Sequence, residues 1–217
     1  MGIQWDAPPA REAAMQSLTY LHDLLASTLF TEGLDGDMDL WALGFSAIWL
    51  KGADLDTLAP IYQLDLSTRT PCYLSEILGR NIDDESLWIA EVGDWISIVP
   101  ATADRDHLLS ITTGGREAFG LSMDISNRDY LHYARDGRLV TSFSPSQPEL
   151  RFGDDPYALD HLMEELRFQI SADDVFDDRV DREESVSSAL ALIGRFTGTD
   201  IAADWFEAQY SCIRPTS

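Results

Sequence analysis

Lysine is almost absent from this 217-residue chain. Lys51 stands alone beside fourteen arginines, and these fifteen cations face 38 aspartates and glutamates, a formal net charge of −23. Such a field repels nucleic-acid phosphate and anionic membrane surface, and it accelerates encounter with a basic protein. Direct nucleic-acid or membrane binding is therefore not expected, and a basic protein partner is. Cysteine is scarce too: Cys72 and Cys212 lie far apart with no CxxC or Cys/His spacing, so two reduced thiols are expected in place of a disulfide or metal site. The four histidines (His22, His107, His132, His161) stand singly, and no GxSxG, P-loop, dinucleotide fingerprint or HExxH occurs. No apolar run approaches the roughly 20 residues that span a bilayer. Met1 to Ala10 lacks the basic flank and apolar stretch of a signal peptide, so a cytoplasmic location is expected. Two plainer readings stay open: arginine over lysine as genomic base composition, and the acidic excess as salt adaptation.

Aromatics are plentiful. Six Trp, seven Tyr and nine Phe within a 45% hydrophobic composition exclude a disordered chain. No Pro/Gly/Ser-rich linker divides the sequence, which points to a single domain over 1–217 with one full core and no metal or organic cofactor needed for folding.

Two hairpins are legible. Tyr130 to Arg135 and Arg138 to Phe143 flank Asp136-Gly137, the dipeptide of a type I′ turn, and Leu87 to Val92 and Trp95 to Val99 flank Gly93-Asp94. In a regular two-residue hairpin Ala134 faces Leu139, Tyr133 faces Val140 and His132 faces Thr141. Leu43 to Leu50 and Arg116 to Ile125 have strand character, while residues 65–85 look irregular apart from one helical turn at Ser75 to Leu78. Amphipathic spacing predicts helices over about 8–30, Leu55 to Leu64 with Asp54 as N-cap, Ala103 to Thr112, Pro156 to Phe168 with Asp155 as N-cap, Glu183 to Thr197, and Ile201 to Tyr210. Contiguous strands with helices clustered at the ends predict an α+β domain: a mainly antiparallel sheet of about five to six strands, with helices packed at the N- and C-terminal ends.

GFSAIWLKG (44–52), VGDWISIVP (92–100), YARDGRLVTSFSP (133–145) and RFGDDPYALDHLM (151–163) together resemble an uncharacterised bacterial domain family of unknown function, common in high-GC Gram-positive genomes. The resemblance covers about residues 40–200, departs from the family pattern at PATADRDHLL and at the acidic stretch 173–184, and implies a shared fold with no activity, ligand or catalytic residue to carry over. Each motif also has a structural explanation, since Gly93 and Gly137 allow tight turns and Trp49 and Trp95 fill a sheet face.

Asp35, Asp37 and Asp39 have calcium-loop spacing, but Leu40 and Ser46 replace the required Gly and Glu, which rejects that site. His132, with Tyr130 and Arg128 near one strand face and Arg138 across the hairpin, is the one grouping that could form a small polar site. The run 171–185 differs in kind: Asp173, Asp174, Asp177, Asp178, Asp181, Glu183 and Glu184 surround Phe176. Carboxylates around an apolar anchor have the make-up of a protein-binding surface, although a solvated loop leading into a helix has the same composition. These features together favour a small acidic binding protein, of the kind that an immunity or antitoxin-like inhibitor of a basic toxin or effector would be. A phosphate-backbone mimic that blocks a DNA-binding protein, and an enzyme with a dispersed active site, are the alternatives.

Overall fold

The structure, a computed structural model, describes residues 21–23, 44–78, 85–123, 129–168, 180–198 and 209–216. Nine strands among them form one antiparallel sheet: β1 (Phe45–Lys51), β2 (Leu64–Cys72), β3 (Leu87–Val92), β4 (Trp95–Val99), β5 (Glu117–Met123), β6 (Tyr130–Arg135), β7 (Arg138–Ser144), β8 (Gln147–Phe152) and β9 (Tyr210–Pro215). Their order in space is β2-β9-β3-β4-β1-β5-β6-β7-β8, an open sheet with β2 and β8 as its edges. The described helices are few: α1 (Leu55–Ile61), α2 (Leu74–Leu78), α3 (Arg105–Ile111), α4 (Asp160–Met163) and α5 (Arg182–Thr197).

The central strands are buried on both faces, so they read as continuous apolar runs such as WISIV, in which every residue is buried. On one face Trp49, Trp88, Trp95, Phe119 and Tyr133 pack beneath α5 through Val186, Ala189, Leu190 and Ile193. Phe196 of that helix reaches the rings of Trp95, Phe119 and Tyr133 at 6.0, 4.9 and 5.1 Å. On the other face Ile48, Leu50, Ile89, Ile96 and Ile98 meet Leu55 and Leu58 of α1 and Leu108 and Ile111 of α3.

The five-to-six-strand expectation, with helices at the ends, is thus replaced by a nine-stranded sheet flanked on both faces by a few helices. Three strands are hidden by their composition. β2 is LDLSTRTPC, polar and bearing Pro71; β8 is QPELRF, with Pro148 among charges; β9 starts at Tyr210, where the helical spacing ends. Edge strands carry proline and charge because one side of their backbone is left unpaired. The 156–168 helix shrinks to α4, with Glu165 at a positive φ of 64°. The helix predicted over about 8–30 is described only at 21–23, which are helical, and 201–208 lie outside the described residues.

Both hairpins form at their predicted turns, with Asp136 and Gly137 at φ 50° and 72°. The register of the second differs. Ala134 faces Leu139, but Tyr133 faces Thr141 and His132 faces Ser142, because Val140 is the extra residue of a bulge. The cause lies in the GDD turn: Asp154 and Asp155 donate their backbone N–H groups to the carbonyls of Leu139 and Val140 at 3.0 and 2.9 Å. Gly153, at φ 140°, lies so close that a Cβ there would run into the Val140 carbonyl, 2.8 Å from its carbon. Only glycine fits this seat. Asp155, expected as a helix cap, is thereby spent on docking the turn, and the helix starts five residues later at Asp160.

Candidate protein-binding surface

His132 is positioned by the sheet and not by a pocket. It lies opposite Gly120 on β5, whose bare backbone lets Leu108 and Ala103 of the α3 region close over this face. Its Nδ1 meets the Ser142 hydroxyl at 2.7 Å, and its ring stacks on Tyr130 at 5.6 Å and 6°. Burial pushes its pKa down to about 4, against an opposing pull from Asp104 and with a small further push from Arg105. It is therefore a neutral, hydrogen-bonded part of the sheet. Arg138 is exposed and pairs with Asp154 at 2.7 Å, and Arg128 lies outside the described residues, so the small polar site expected around His132 is not assembled.

Two concave places among the described residues lie at the middle of the sheet and towards its β2 edge. A cleft of about 430 Å³ holds Lys51, whose Nζ lies 3.6 Å from Asp94 and 5.8 Å from the centre of the Trp95 ring. A second groove, about 590 Å³, is lined by Arg69, Glu91, Tyr210 and Ser211. Arg69 is held there by its Nε–H donating to Ser211 Oγ at 2.8 Å and by Glu91 at 3.4 Å. Each place holds one cation–carboxylate pair, and the cleft at Lys51 is lined by Asp54 and Glu91 as well. Among the described residues no three His, Cys, Asp or Glu side chains converge as a metal site would require.

Of the acidic run, Asp173, Asp174, Phe176, Asp177 and Asp178 lie outside the described residues, while Asp181, Glu183 and Glu184 open α5. Their position at a helix N-terminus suits carboxylates. Glu184 accepts from Arg167 Nε at 3.0 Å, and Arg182 grips buried Asp129 through two hydrogen bonds. Part of this run therefore anchors α5 to the sheet, leaving Asp181 as its exposed described carboxylate.

The three most exposed large apolar side chains among the described residues lie elsewhere, on β8 and the turn after it. Leu150 is 66% exposed, Phe152 46% and Tyr157 65%. Phe152 pairs with Ser142, which pairs with His132, so Phe152 shares the face of Tyr130 and His132 just beyond the cover of α3. Arg151 lies 4.9 Å from the centre of the Tyr157 ring and also pairs with Asp160. Across residues 147–165 the charge is six acidic (Glu149, Asp154, Asp155, Asp160, Glu164, Glu165) to one basic, Arg151. Sequence reasoning passes this patch over because RFGDDPY has the residues of a helix start. The signal that could find it is Leu150 and Phe152, spaced two apart beside a strand-type proline.

The described residues form a β-rich domain whose open antiparallel sheet carries exposed apolar side chains and carboxylates on one edge strand and the turn after it. The chain belongs to a Family of unknown function (DUF6461), whose model matches residues 85–214. That span holds the GDW and DGRLVTSF hairpins and the GDDPY turn but not GFSAIWLKG, which precedes it. No curated protein and no solved structure matches the chain. No described helix is long and apolar enough to cross a membrane.

Proposed function

We propose that this protein is a cytoplasmic protein-binding module for a basic partner and, within that class, an immunity- or antitoxin-like inhibitor that covers the basic active site of a toxin or effector. The observation that supports the reading is the coincidence of exposed Leu150, Phe152 and Tyr157 with a six-to-one acidic segment, on a chain of net charge −23. Apolar anchors supply residence time at an interface, and surrounding charge supplies steering and selectivity. The carboxylates of the 173–184 run, with Phe176 among them, are the second candidate contact for the partner by composition. The test is to isolate the partner from the source cells by covalent capture and to measure its association by stopped flow at low and high salt. A basic partner whose association slows at least ~10-fold with added salt, and whose activity is blocked at one-to-one stoichiometry, is expected. An acidic partner, or association indifferent to salt, would contradict the reading.

A further inference from the structure

We infer that the outer side of β8 is the docking edge, and that it takes an extended basic segment of the partner as an added strand. The inference rests on the binding reading above and gives it a location. No described strand pairs with the outer side of β8, so among the described residues the strand ends the sheet with that side of its backbone unpaired. An unpaired edge is a template for an incoming strand, with main-chain hydrogen bonds giving affinity and alternate side chains giving specificity. β8 adds what a bare edge lacks. Leu150 and Phe152, two residues apart, stand exposed on the strand itself, and Tyr157 stands beyond the Gly153 turn.

Charge selects the occupant. Asp154 is already paired with Arg138 and Asp160 with Arg151, whereas Glu149, Asp155, Glu164 and Glu165 are exposed carboxylates that pair with no cation among the described residues. A second copy of this chain would bring the same six-to-one acidic segment against itself. A lysine- or arginine-bearing strand would instead neutralise it while covering the apolar side chains.

The edge is also stiff, which lowers the ordering cost of binding. The turn after β8 is locked to β7 by Asp154 and Asp155 N–H groups, and the Thr141 hydroxyl donates to the Pro156 carbonyl at 3.0 Å.

The experiment places a photo-crosslinking amino acid at position 150 in the full chain in source cells, with position 73 as the control. Tyr73 is 38% exposed but lies just past the other edge strand. The cross-linked protein is then purified and titrated against Leu150→Ser, Phe152→Ser and Tyr157→Ser. An adduct to one basic protein from position 150 and not from 73, with binding weakened ~10-fold or more by at least two of the three variants at unchanged melting temperature, is expected. Tyr157 lies off the strand, so its variant reads binding even where a β8 change disturbs the fold. A basic partner that cross-links from 73 alone, or binds all three variants as it binds the natural chain, would overturn the docking edge while leaving the binding reading intact. A cross-link to a second copy of the chain would also overturn it. No basic partner from either position would remove both.

Discussion

The two edges of the sheet face the same problem and resolve it differently. β2 consumes its own polar groups: Asp65 accepts from the backbone and hydroxyl of Ser67 at 3.0 and 2.6 Å, and Thr68 donates to the Asp65 carbonyl at 2.7 Å. Its pairing with β9 shifts register between Asp65 and Thr70, and its exposed residues are Ser67, Arg69, Thr70 and Pro71. The Ser67 hydrogen bonds hold the Asp65 carboxyl below its ordinary pKa, so these internal contacts persist into mild acid. A strand so irregular in register, polar and self-satisfied gives an incoming strand little to pair with. β8 has its proline too, but its exposed residues include Leu150 and Phe152, and its irregular register is used to seat the Gly153 turn. One edge satisfies its own polar groups, and the other, on the docking proposal, is the one left for a partner strand.

The largest expected effect breaks that shape. Gly153→Ala would drive a Cβ into the Val140 oxygen, 2.8 Å from the Val140 carbonyl carbon and 2.9 Å from the Thr141 Cα, all backbone atoms that cannot turn aside. A loss of about 3 kcal/mol or more is expected in denaturant unfolding, with amide exchange rising in β7 and β8 before β2. A change in β2 first would show the two edges to be coupled.

Protonation of His132 should act on the same end with a similar ceiling. The unfolded chain binds the proton near pH 6.5 and the folded protein only near 4, so stability falls as pH drops through that interval. The full difference corresponds to about 3 kcal/mol. His132→Gln keeps a hydrogen-bonding group beside Ser142 without a titrating ring, and its unfolding free energy should fall less between pH 7 and pH 4.5 than that of the natural chain. Parallel curves would show that His132 titrates normally.

The two hairpin turns give a smaller contrast. Gly137 is at φ 72°, and a methyl group added there would meet Thr113 Cγ2 at 3.2 Å, whereas Gly93 is at φ 59° with nothing within 4 Å of the same position. Alanine at Gly93 should cost about 1 kcal/mol from backbone strain alone, and alanine at Gly137 somewhat more. Equal melting temperatures for the two variants would remove the steric part of that difference. The smallest expected effect is on the open edge itself: Leu150→Ser should change stability by no more than about 0.5 kcal/mol, because the side chain is mostly exposed.

What could be read from sequence follows from how each part is held together. Local turn chemistry carries both hairpins, since Asp136-Gly137 and Gly93-Asp94 need no distant partner, and Asp54 caps α1 by accepting from Thr57 N–H at 2.8 Å as its position suggests. The strands that escape are those stabilised by neighbours far away in sequence: β9 lies between β2 and β3, some 120 residues or more from either. The Val140 bulge escapes for the same reason, being set by backbone donors from Asp154 and Asp155. Acidity points to a surface, but composition alone places it at 173–184. Only the sheet shows that Leu150 and Phe152, which alternate like buried strand residues, lie on an edge.

Hydrogen exchange across both edges, with the captured partner present and absent, tests the central claim most directly. Protection confined to residues 147–152 and their β7 neighbours, with 64–72 unchanged, is the result this account requires. Protection of 64–72 with 147–152 still exchanging freely would contradict it.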